Sequence, residues 1–572
     1  MNRDKTFHLG LCMAGSISAG AYTAGVIDYL FEALNNWCKA KQEPDPSIPD
    51  HDVLIDVFGG ASGGGITAAI SLFAQQERIS PMRLENNRPG NDGGYNLLYD
   101  TWVQMSSHDV FAEMLDTSDI QMEYVPSLMN SKFIDTIAGY FKEYLYKYKG
   151  QPFTTRPYIN DRAELFLTLF NITGIKYELL AKASEEGLVR QYAVEHRDMS
   201  HFRIAAAYEN DGRMPLDFSN TDIIDILIDS AMATGAYPGG LSSRFISRPK
   251  QYLWDNPFIT KNGRFDWKKI KLDTEGHDTD YAMDGKEIYK SLNADGGVAN
   301  NEPIEIARQI LQGIRQDMYG KEYANCDNSS IILIDPFPSF DKSFEKPGPA
   351  HQHLTGFVQD VVMAMQSQLL FDAKTMLDAY NSDNNGLYLV APSKDGFKPA
   401  HAIACGSLGG FGGFLSADFR IHDFFLGRHN CQSFLRRYFI INLEDQKEQK
   451  DVQAVINGYQ RPEAMKRFAR KDEKGLWVPI IPDMNIKQPD DAKNKKFDLP
   501  VYHFERLSDT ALNHYFTMLE KRFSALAMNL KKTYGIAEMA LAMGVKTYED
   551  NIATSVLNYI KNDLKRRKLM QR

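Results

Sequence analysis

The chain has 572 residues, of which 43% are hydrophobic and 24% are charged, and its net charge is −9. This ordinary globular composition excludes wholesale disorder, and the negative charge excludes a globally basic nucleic-acid-binding protein. The length exceeds that of a typical domain of about 100–200 residues, so we expect one large domain with an appended second unit.

The beginning of the chain alternates strand and helix patterns. Thr6–Met13 is an apolar run that predicts a strand, and Gly20–Ala40 carries apolar residues at helical spacing. A second apolar run, Val53–Phe58, ends in two glycines, and residues 63–73 again place apolar side chains on one helical face. This alternation predicts a mostly parallel central sheet covered on both sides, which is a three-layer α/β/α fold.

The middle of the chain is less regular. Residues 80–160 are aromatic and irregular, and we interpret them as an insertion or lid. Arg162–Gly174 alternates like a strand, and Ile223–Met232 has a helical pattern. We interpret residues 244–290 as a polar insertion and Ile331–Ile334 as another buried strand.

After a proline-rich stretch, long helical patterns dominate, beginning with Gly356–Tyr380. We therefore expect a first domain over residues 1–345 and a mainly α-helical C-terminal extension over residues 346–572. Residues 406–413 (GSLGGFGG) lack the Lys-Ser/Thr ending of a phosphate-binding P-loop, so we interpret them as a flexible loop. The mixed aromatic and charged stretch Phe414–Cys431 is explained by packing of the extension onto the first domain.

Cysteine usage and hydropathy favour a cytoplasmic location. The cysteines are odd in number and free of CxxC spacing, which argues against a disulfide framework and a zinc site. They are Cys12, Cys38, Cys326, Cys405 and Cys431. No apolar run reaches the roughly 18 residues that span a bilayer, so we expect a soluble or peripheral protein. The N-terminus is only weakly similar to a signal peptide, because His8 interrupts its apolar stretch.

Gly60-Ala61-Ser62-Gly63-Gly64 matches the pattern G-x-S-x-G. An apolar strand pattern leads into the motif and a helix pattern leads out, as a nucleophile elbow requires. Gly60, Gly63 and Gly64 let strand and helix approach closely, and the helix N-terminus offers free N–H groups. The alternative is a glycine-rich strand–helix turn without chemistry.

Asp295, followed by Gly296 and Gly297, opens a second candidate element. An aspartate before two glycines usually marks only a turn. Here Pro303 then begins an amphipathic helix, so Asp295 is expected in a loop that enters a helix, where a cleft can hold an acid.

The third element, Gly15–Gly20, lies between the first strand and the first helix. Its backbone N–H groups can point at a developing oxyanion, although taken alone the element is better explained as a plain tight strand–helix connection.

In combination these elements resemble the patatin-like phospholipase family, of a bacterial type with a C-terminal extension. The stretch Ala231–Gly240 is similar to the small-residue segment that the family carries before its aspartate, and the resemblance covers roughly residues 6–340. It implies a serine lipid acyl hydrolase that cleaves phospholipids or related lipids without calcium or another cofactor. It also implies a catalytic dyad of Ser62 and Asp295 and an oxyanion loop at Gly15, Ser16 and Gly20.

The oxyanion loop departs from the family pattern of three glycines, any residue, Arg or Lys, and glycine. This chain has Ser16 and Ile17 where the family has glycine, and Ala19 where it has a cation. Backbone N–H groups suffice for an oxyanion hole, so we expect the hole to survive if Ser16 and Ile17 need no positive φ. The missing cation motivates a second hypothesis, a lipid-binding or regulatory protein that has lost turnover.

A Ser-Asp-His triad is the rival mechanism, since seven histidines lie downstream of Asp295. They are His351, His353, His401, His422, His429, His503 and His514.

Lipid contact has two candidate regions. The aromatic residues between 80 and 160 can line an acyl groove, and the C-terminal segment places Ile552, Val556, Ile560 and Leu564 beside several cations. Such a basic helix can lie on an anionic membrane, or it can simply dock on the protein.

Overall fold

The computed structural model describes residues 3–253, 271–272, 288–320, 328–338, 386–445, 452–534 and 553–571, except 78, 106, 108, 122–123, 185–186, 210 and 398. The strands are β1 (Thr6–Met13), β2 (Asp52–Gly60), β3 (Arg83–Glu85), β4 (Arg88–Gly90), β5 (Ile159–Ser184), β6 (Gly187–Ile204), β7 (Met214–Leu216), β8 (Arg244–Pro249), β9 (Lys271–Leu272), β10 (Ile288–Asp295), β11 (Ser329–Ile334), β12 (Leu387–Val390), β13 (Ile440–Asn442), β14 (Arg470–Asp472) and β15 (Gly475–Pro479). The helices are α1 (Gly20–Ala40), α2 (Ser62–Phe73), α3 (Leu97–Tyr99), α4 (Val110–Leu115), α5 (Lys132–Tyr146), α6 (Thr221–Thr234), α7 (Ile304–Tyr319), α8 (Pro399–Ala402), α9 (Gly412–Leu415), α10 (Ala417–Arg437), α11 (Gln453–Gly458), α12 (Pro462–Phe468), α13 (Asp509–Asn513), α14 (Tyr515–Tyr534) and α15 (553–566).

The central sheet has the strand order β12-β11-β1-β2-β5-β10-β8. Neighbouring strands from β12 to β5 are parallel, whereas β10 runs antiparallel to both β5 and β8. The long strand β5 also pairs antiparallel with β6 and β9, and β7 lies parallel beside β6. The sheet is therefore mixed but mostly parallel along its main path, as the sequence predicted.

Side chains of β1 alternate between the two faces of the sheet. Leu9 and Leu11 belong to a large apolar cluster that includes α1, α2 and α6. Cys12 belongs to a second cluster, which contains Ile310 and Leu311 of α7. Helices thus bury both faces of the sheet, and the predicted three-layer α/β/α fold is confirmed.

Helix α10 of the C-terminal region packs along α1 through glycines on both helices. A Cβ atom added to Gly25 would lie 1.9 Å from the carbonyl oxygen of Phe424, and one added to Gly427 would lie 2.2 Å from that of Tyr22. Only glycine permits so close a helix–helix approach. The C-terminal region is therefore helical where it meets the first domain, as predicted.

Arg428 of α10 strengthens this contact by binding two carboxylates of α1, those of Asp28 and Glu32, and all three side chains are buried. The C-terminal region also supplies β12 to the edge of the central sheet and forms a separate three-stranded sheet in the order β13-β15-β14. The domain boundary near residue 345 and the helix over Gly356–Tyr380 lie outside the described residues, so both stay predictions.

Residues 80–160 are more regular than the sequence suggested. They contain the hairpin β3–β4 and the helices α3, α4 and α5, and α5 alone spans 15 residues. The expectation of an irregular segment was wrong for α5, because its aromatic residues hid the helical spacing of Phe133, Phe141, Tyr144 and Leu145, which are buried. The polar insertion over residues 244–290 begins with β8 and ends in β10. Residues 254–270 and 273–287 lie outside the described residues.

Candidate active site

Ser62 lies at the sharp junction between β2 and α2. Its φ angle is 52°, in the left-handed region that few non-glycine residues adopt, as expected for a nucleophile elbow. A Cβ atom on either Gly60 or Gly64 would lie 2.3 Å from the carbonyl oxygen of Met13. The two glycines therefore allow β2, α2 and the end of β1 to approach one another around Ser62.

Thr234 at the end of α6 also holds the elbow, and sequence analysis did not identify it. Its Oγ1 atom accepts a hydrogen bond of 2.9 Å from the backbone N–H of Ser62. Thr234 belongs to the small-residue stretch 231–240, so that stretch was the available signal. Because the Ser62 N–H is occupied, the helix N-terminus offers the next N–H group, that of Gly63, to a reacting carbonyl.

Asp295 meets Ser62 because two strands end against the same edge of β5. Strand β2 runs parallel to β5 and ends with Gly60 opposite Leu167. Strand β10 runs in the opposite direction and ends with Asp295 opposite Leu169. The two strand ends are thus two residues apart along β5, which corresponds to roughly 7 Å. Gly296 must be glycine there, since a Cβ atom would lie 2.1 Å from the carbonyl oxygen of Thr168.

The side chains of Ser62 and Asp295 form a direct hydrogen bond. The Ser62 hydroxyl donates to Oδ2 of Asp295 at 2.5 Å, and the Gly297 N–H donates to Oδ1 at 2.7 Å. Both side chains are buried, with exposed fractions of 6% and 4%. Burial raises the pKa of Asp295 from 3.8 to about 7, although the two hydrogen bonds oppose the shift. The carboxylate is therefore suited to accept a proton near neutral pH.

The loop from Gly15 to Gly20 lies against this pair. A Cβ atom on Gly15 would lie 2.1 Å from Oδ1 of Asn301 and 3.3 Å from Cβ of Ser62, and one on Gly20 would lie 2.3 Å from the Trp102 ring. These two glycines are therefore required by close packing. Asn301, a further residue that sequence analysis missed, also accepts a hydrogen bond from the Gly15 N–H at 3.3 Å.

The condition set for the oxyanion hole, that neither Ser16 nor Ile17 needs a positive φ, is met at Ser16 but not at Ile17. Ser16 has a φ of −136°, but Ile17 has a φ of 48°, an unusual conformation for a β-branched residue. Within the described structure no protein acceptor is assigned to the backbone N–H of either residue. The Ser16 hydroxyl is fully buried without a described partner, and lies 2.4 Å from where a Cβ atom on Gly63 would stand. The Ser16 hydroxyl thus lies beside the first turn of α2, next to Ser62.

An apolar pocket opens beside the pair and encloses about 870 Å³ of empty space, counting its open mouth. Its lining includes Ser62, Asp295, Gly63 and Ile17. The remaining lining is mostly apolar and comes largely from the helices α5 and α6 and the segment around Trp102; it includes Phe133, Ile137, Phe141, Ile228 and Met232. Part of the aromatic 80–160 region therefore lines the pocket, and its size and character suit a hydrocarbon chain.

None of the described histidines among the candidate alternative bases lines this pocket. His422 bonds to Asp423 and Lys394, His429 to the carbonyl of Leu499, and His514 packs on Tyr515. His401 and His503 do not line the pocket either. His351 and His353 lie outside the described residues. Within the described chain, no cluster of three or more His, Cys, Asp or Glu residues is arranged to hold a metal ion.

Two further structural facts bear on lipid contact. Among the described helices, none combines the length and apolar character that crossing a bilayer demands. The apolar face of α15 is turned into the protein, with Ile560 and Leu564 buried, whereas Lys565 and Lys568 are exposed. The docked arrangement considered for this helix is thus the one that the structure shows, and Ile552 lies outside the described residues.

Comparison with known proteins gives two matches. A family model described as patatin-like phospholipase matches residues 11–308, which include the loop, Ser62 and Asp295. Over 567 aligned residues the chain is also 26% identical to the uncharacterized protein y4iI of Sinorhizobium fredii (strain NBRC 101917 / NGR234). That alignment covers 92% of this chain and 76% of the relative, so the similarity continues into the C-terminal region.

Proposed function

The chain belongs to the patatin-like phospholipase family, and from this premise we propose that it is a serine hydrolase of lipid acyl esters with a Ser62–Asp295 dyad. Family membership supports a lipid acyl hydrolase in general. The observation that carries the finer proposal is the 2.5 Å hydrogen bond from the Ser62 hydroxyl to a buried Asp295 carboxylate. The adjoining apolar pocket supports an acyl chain as the group that enters.

In the proposed acylation step, Asp295 removes the Ser62 proton while Oγ attacks the ester carbonyl carbon. The negative charge that develops on the carbonyl oxygen is stabilised by N–H groups of the loop and of Gly63. The bond from the carbonyl carbon to the leaving oxygen then breaks, and Asp295 passes the proton to the leaving alcohol. In the second step Asp295 removes a proton from water, the water oxygen attacks the acyl carbon, and Ser62 regains its proton as the fatty acid leaves.

The direct test measures fatty-acid release from phosphatidylcholine vesicles and hydrolysis of a water-soluble p-nitrophenyl ester. Wild type is compared with Ser62→Ala and Asp295→Asn, and both variants are expected to lose activity by at least about 10³-fold. Alanine variants of the downstream histidines test the triad. Loss of activity at one histidine with an intact fold, and its retention in Asp295→Asn, contradicts the dyad.

The alternative of a lipid-binding protein without turnover rests on one observation, the positive φ of Ile17 in a loop that also lacks the family cation. A fluorophosphonate probe separates the two functions, because it reacts only with an activated serine. Labelling of wild type but not of Ser62→Ala is expected for the enzyme. No labelling of wild type under any condition supports the binding protein.

The proposal for membrane contact is limited to two exposed cations, Lys565 of α15 and Lys568 just after it, since the apolar face of α15 is buried. Each exposed cation near an anionic surface contributes about 1 kcal/mol of attraction. The variant Lys565→Ala/Lys568→Ala is therefore expected to bind phosphatidylserine vesicles about 10-fold more weakly or worse in a sedimentation assay. Equal binding of the variant and wild type excludes this surface.

The four described cysteines, Cys12, Cys38, Cys405 and Cys431, are unpaired, which supports the proposed reducing, cytoplasmic location.

A further inference from the structure

The oxyanion loop adopts a conformation that its own sequence does not favour. Ile17 has a φ of 48°, and β-branched residues are strained in this region of backbone conformation. The loop also has Ser16 and Ile17 in place of two family glycines and Ala19 in place of the family cation. Such a conformation persists only when surrounding structure imposes it, so the contacts of the loop identify what holds it.

Ser18 connects the loop to the C-terminal region. Its hydroxyl donates a hydrogen bond of 2.5 Å to the carbonyl oxygen of Gly410 and accepts one of 2.9 Å from the N–H of Gly413. Ser18 is fully buried, so water does not compete for these bonds. The Ile17 side chain packs on the same segment, since a Cβ atom on Gly410 would lie 3.1 Å from Cδ1 of Ile17.

The glycine-rich segment, residues 406–413, has a backbone conformation and a lack of side chains that allow this contact. It was interpreted from sequence as a flexible loop, but it forms a 3₁₀ turn over Ser407–Gly410 and leads into α9 and then α10. Leu408 and Gly409 have φ values of 55° and 65°, which fold the segment back on itself. At Gly413 a Cβ atom would lie 2.7 Å from both the Ser18 hydroxyl and the Cys405 sulfur, so a larger residue would push the loop away.

The glycine-rich segment is in turn fixed to two C-terminal helices. Arg420 of α10 donates a hydrogen bond of 2.7 Å to the carbonyl oxygen of Gly413 and one of 2.9 Å to that of Val103, beside the pocket residue Trp102. Asp563 of α15 accepts a hydrogen bond of 2.9 Å from the N–H of Leu408. A continuous set of bonds therefore runs from α15 to the loop beside Ser62.

We propose that the C-terminal region completes the active site, with the glycine-rich segment holding the oxyanion loop in its reactive conformation through Ser18. Ser18 is a positioning residue: it acts through the loop and contacts no reacting atom. This inference rests on the proposed function. It explains how the loop keeps its conformation although Ser16 and Ile17 replace two family glycines: contacts from the C-terminal region impose the backbone conformation that glycine would adopt without strain. It also gives the C-terminal extension a role in catalysis.

The test compares Ser18→Ala with Ser127→Ala in the full-length protein. Ser127 is a matched control, because its buried hydroxyl also makes two hydrogen bonds, to Met129 O and to Ser242, outside the pocket. A displaced loop is expected to lower kcat on the p-nitrophenyl ester, and the rate of fluorophosphonate labelling, by about 10- to 100-fold. KM is expected to stay within about threefold, since the acyl pocket is intact. Both variants are expected to lose similar thermal stability, and Ser127→Ala to keep its kcat.

Equal kcat values for Ser18→Ala and Ser127→Ala overturn the inference while leaving the proposed function in place. Hydrolysis that persists in Ser62→Ala, or no hydrolysis by wild type, overturns both. If Ser18→Ala does not fold, Gly413→Ala tests the same contact from the other side. Its control is Gly313→Ala on α7, where an added Cβ atom meets nothing within 4 Å. A kcat for Gly413→Ala equal to that of this control also refutes the role of the segment.

Discussion

As the pH rises, ionisation of Asp295 is expected to raise the activity of wild type and to lower its stability. Replacing Asp295 by Asn is expected to remove both effects. Asp295 has a folded-state pKa of about 7, raised by burial from 3.8. The folded protein therefore binds this proton more tightly than the unfolded chain does. The resulting stabilisation is complete below pH 3.8 and is lost as the pH rises towards 7, where the buried carboxyl ionises. Activity rises over the same range, because only the ionised form accepts the Ser62 proton.

The magnitude follows from 1.36 kcal/mol per pKa unit. At pH 8 the difference between the pKa values of 3.8 and about 7 corresponds to about 4 kcal/mol of lost stability. At pH 5.5, where only the unfolded chain has ionised at this position, the lost stability is about 2 kcal/mol. Wild type should therefore lose about 2 kcal/mol more than Asp295→Asn between pH 5.5 and pH 8. Urea unfolding at the two pH values measures this difference. The kcat/KM of wild type should fall about tenfold per unit below pH 7.

Asp335 provides a matched control. It is also buried, and burial raises its pKa to about 6, but it bonds to the N–H of Phe337 and not to Ser62. Asp335→Asn should thus alter the pH dependence of stability around pH 6 and leave that of kcat/KM as in wild type. Stability profiles of wild type and Asp295→Asn that run parallel, or a flat kcat/KM from pH 5.5 to 8, would refute the reasoning.

Three further substitutions test the framework of the site. Thr234→Val leaves the buried Ser62 N–H without an acceptor, so it should lower the free energy of unfolding by about 1–3 kcal/mol and slow fluorophosphonate labelling. Gly64→Ala forces a Cβ atom against two carbonyl oxygens and should cost about 3 kcal/mol or more in thermal denaturation, whereas Gly139→Ala, in open space on α5, should gain up to about 1 kcal/mol. Arg428→Met removes the ion-pair partner of the buried Asp28 carboxylate, whereas Glu32 keeps its ion pair with Arg83, and it should cost about 3–5 kcal/mol in urea unfolding; a cost near zero contradicts the buried pairing.

The sequence was sufficient for the elements that carry their own pattern. The strand over Thr6–Met13 and the helix over Gly20–Ala40 have the predicted bounds, because apolar spacing and glycine punctuation determine them locally. Ser62 and Asp295 were likewise recognisable from their glycine contexts. Their meeting was not derivable from spacing, because it depends on β10 running antiparallel and ending just beyond β2 on the same edge of β5.

Contacts between distant parts of the chain could not be read from local patterns. Ser18 and Gly410 are 392 positions apart, and nothing near either residue indicates the other. The glycines of residues 406–413 have the composition of a loop, and the same lack of side chains is what allows close packing against Ser18 and Ile17. Glycine-rich composition alone does not distinguish a flexible segment from a tightly packed one.

The positions of strained backbone argue that the site is held by tertiary structure. Apart from asparagines, the described non-glycine residues with positive φ are Ile17, Ser62, Met105, Leu408 and Lys568. The first three line the pocket, and Leu408 belongs to the segment that holds the loop. Each such residue costs of order 1–3 kcal/mol, so the unfolded chain has no local preference for these conformations. The assembled structure imposes them. Residues 11–308, which match the family model, include Ser62 and Asp295, but Gly410 and Gly413, which bond to Ser18 and through which we infer that the loop is held, lie beyond them.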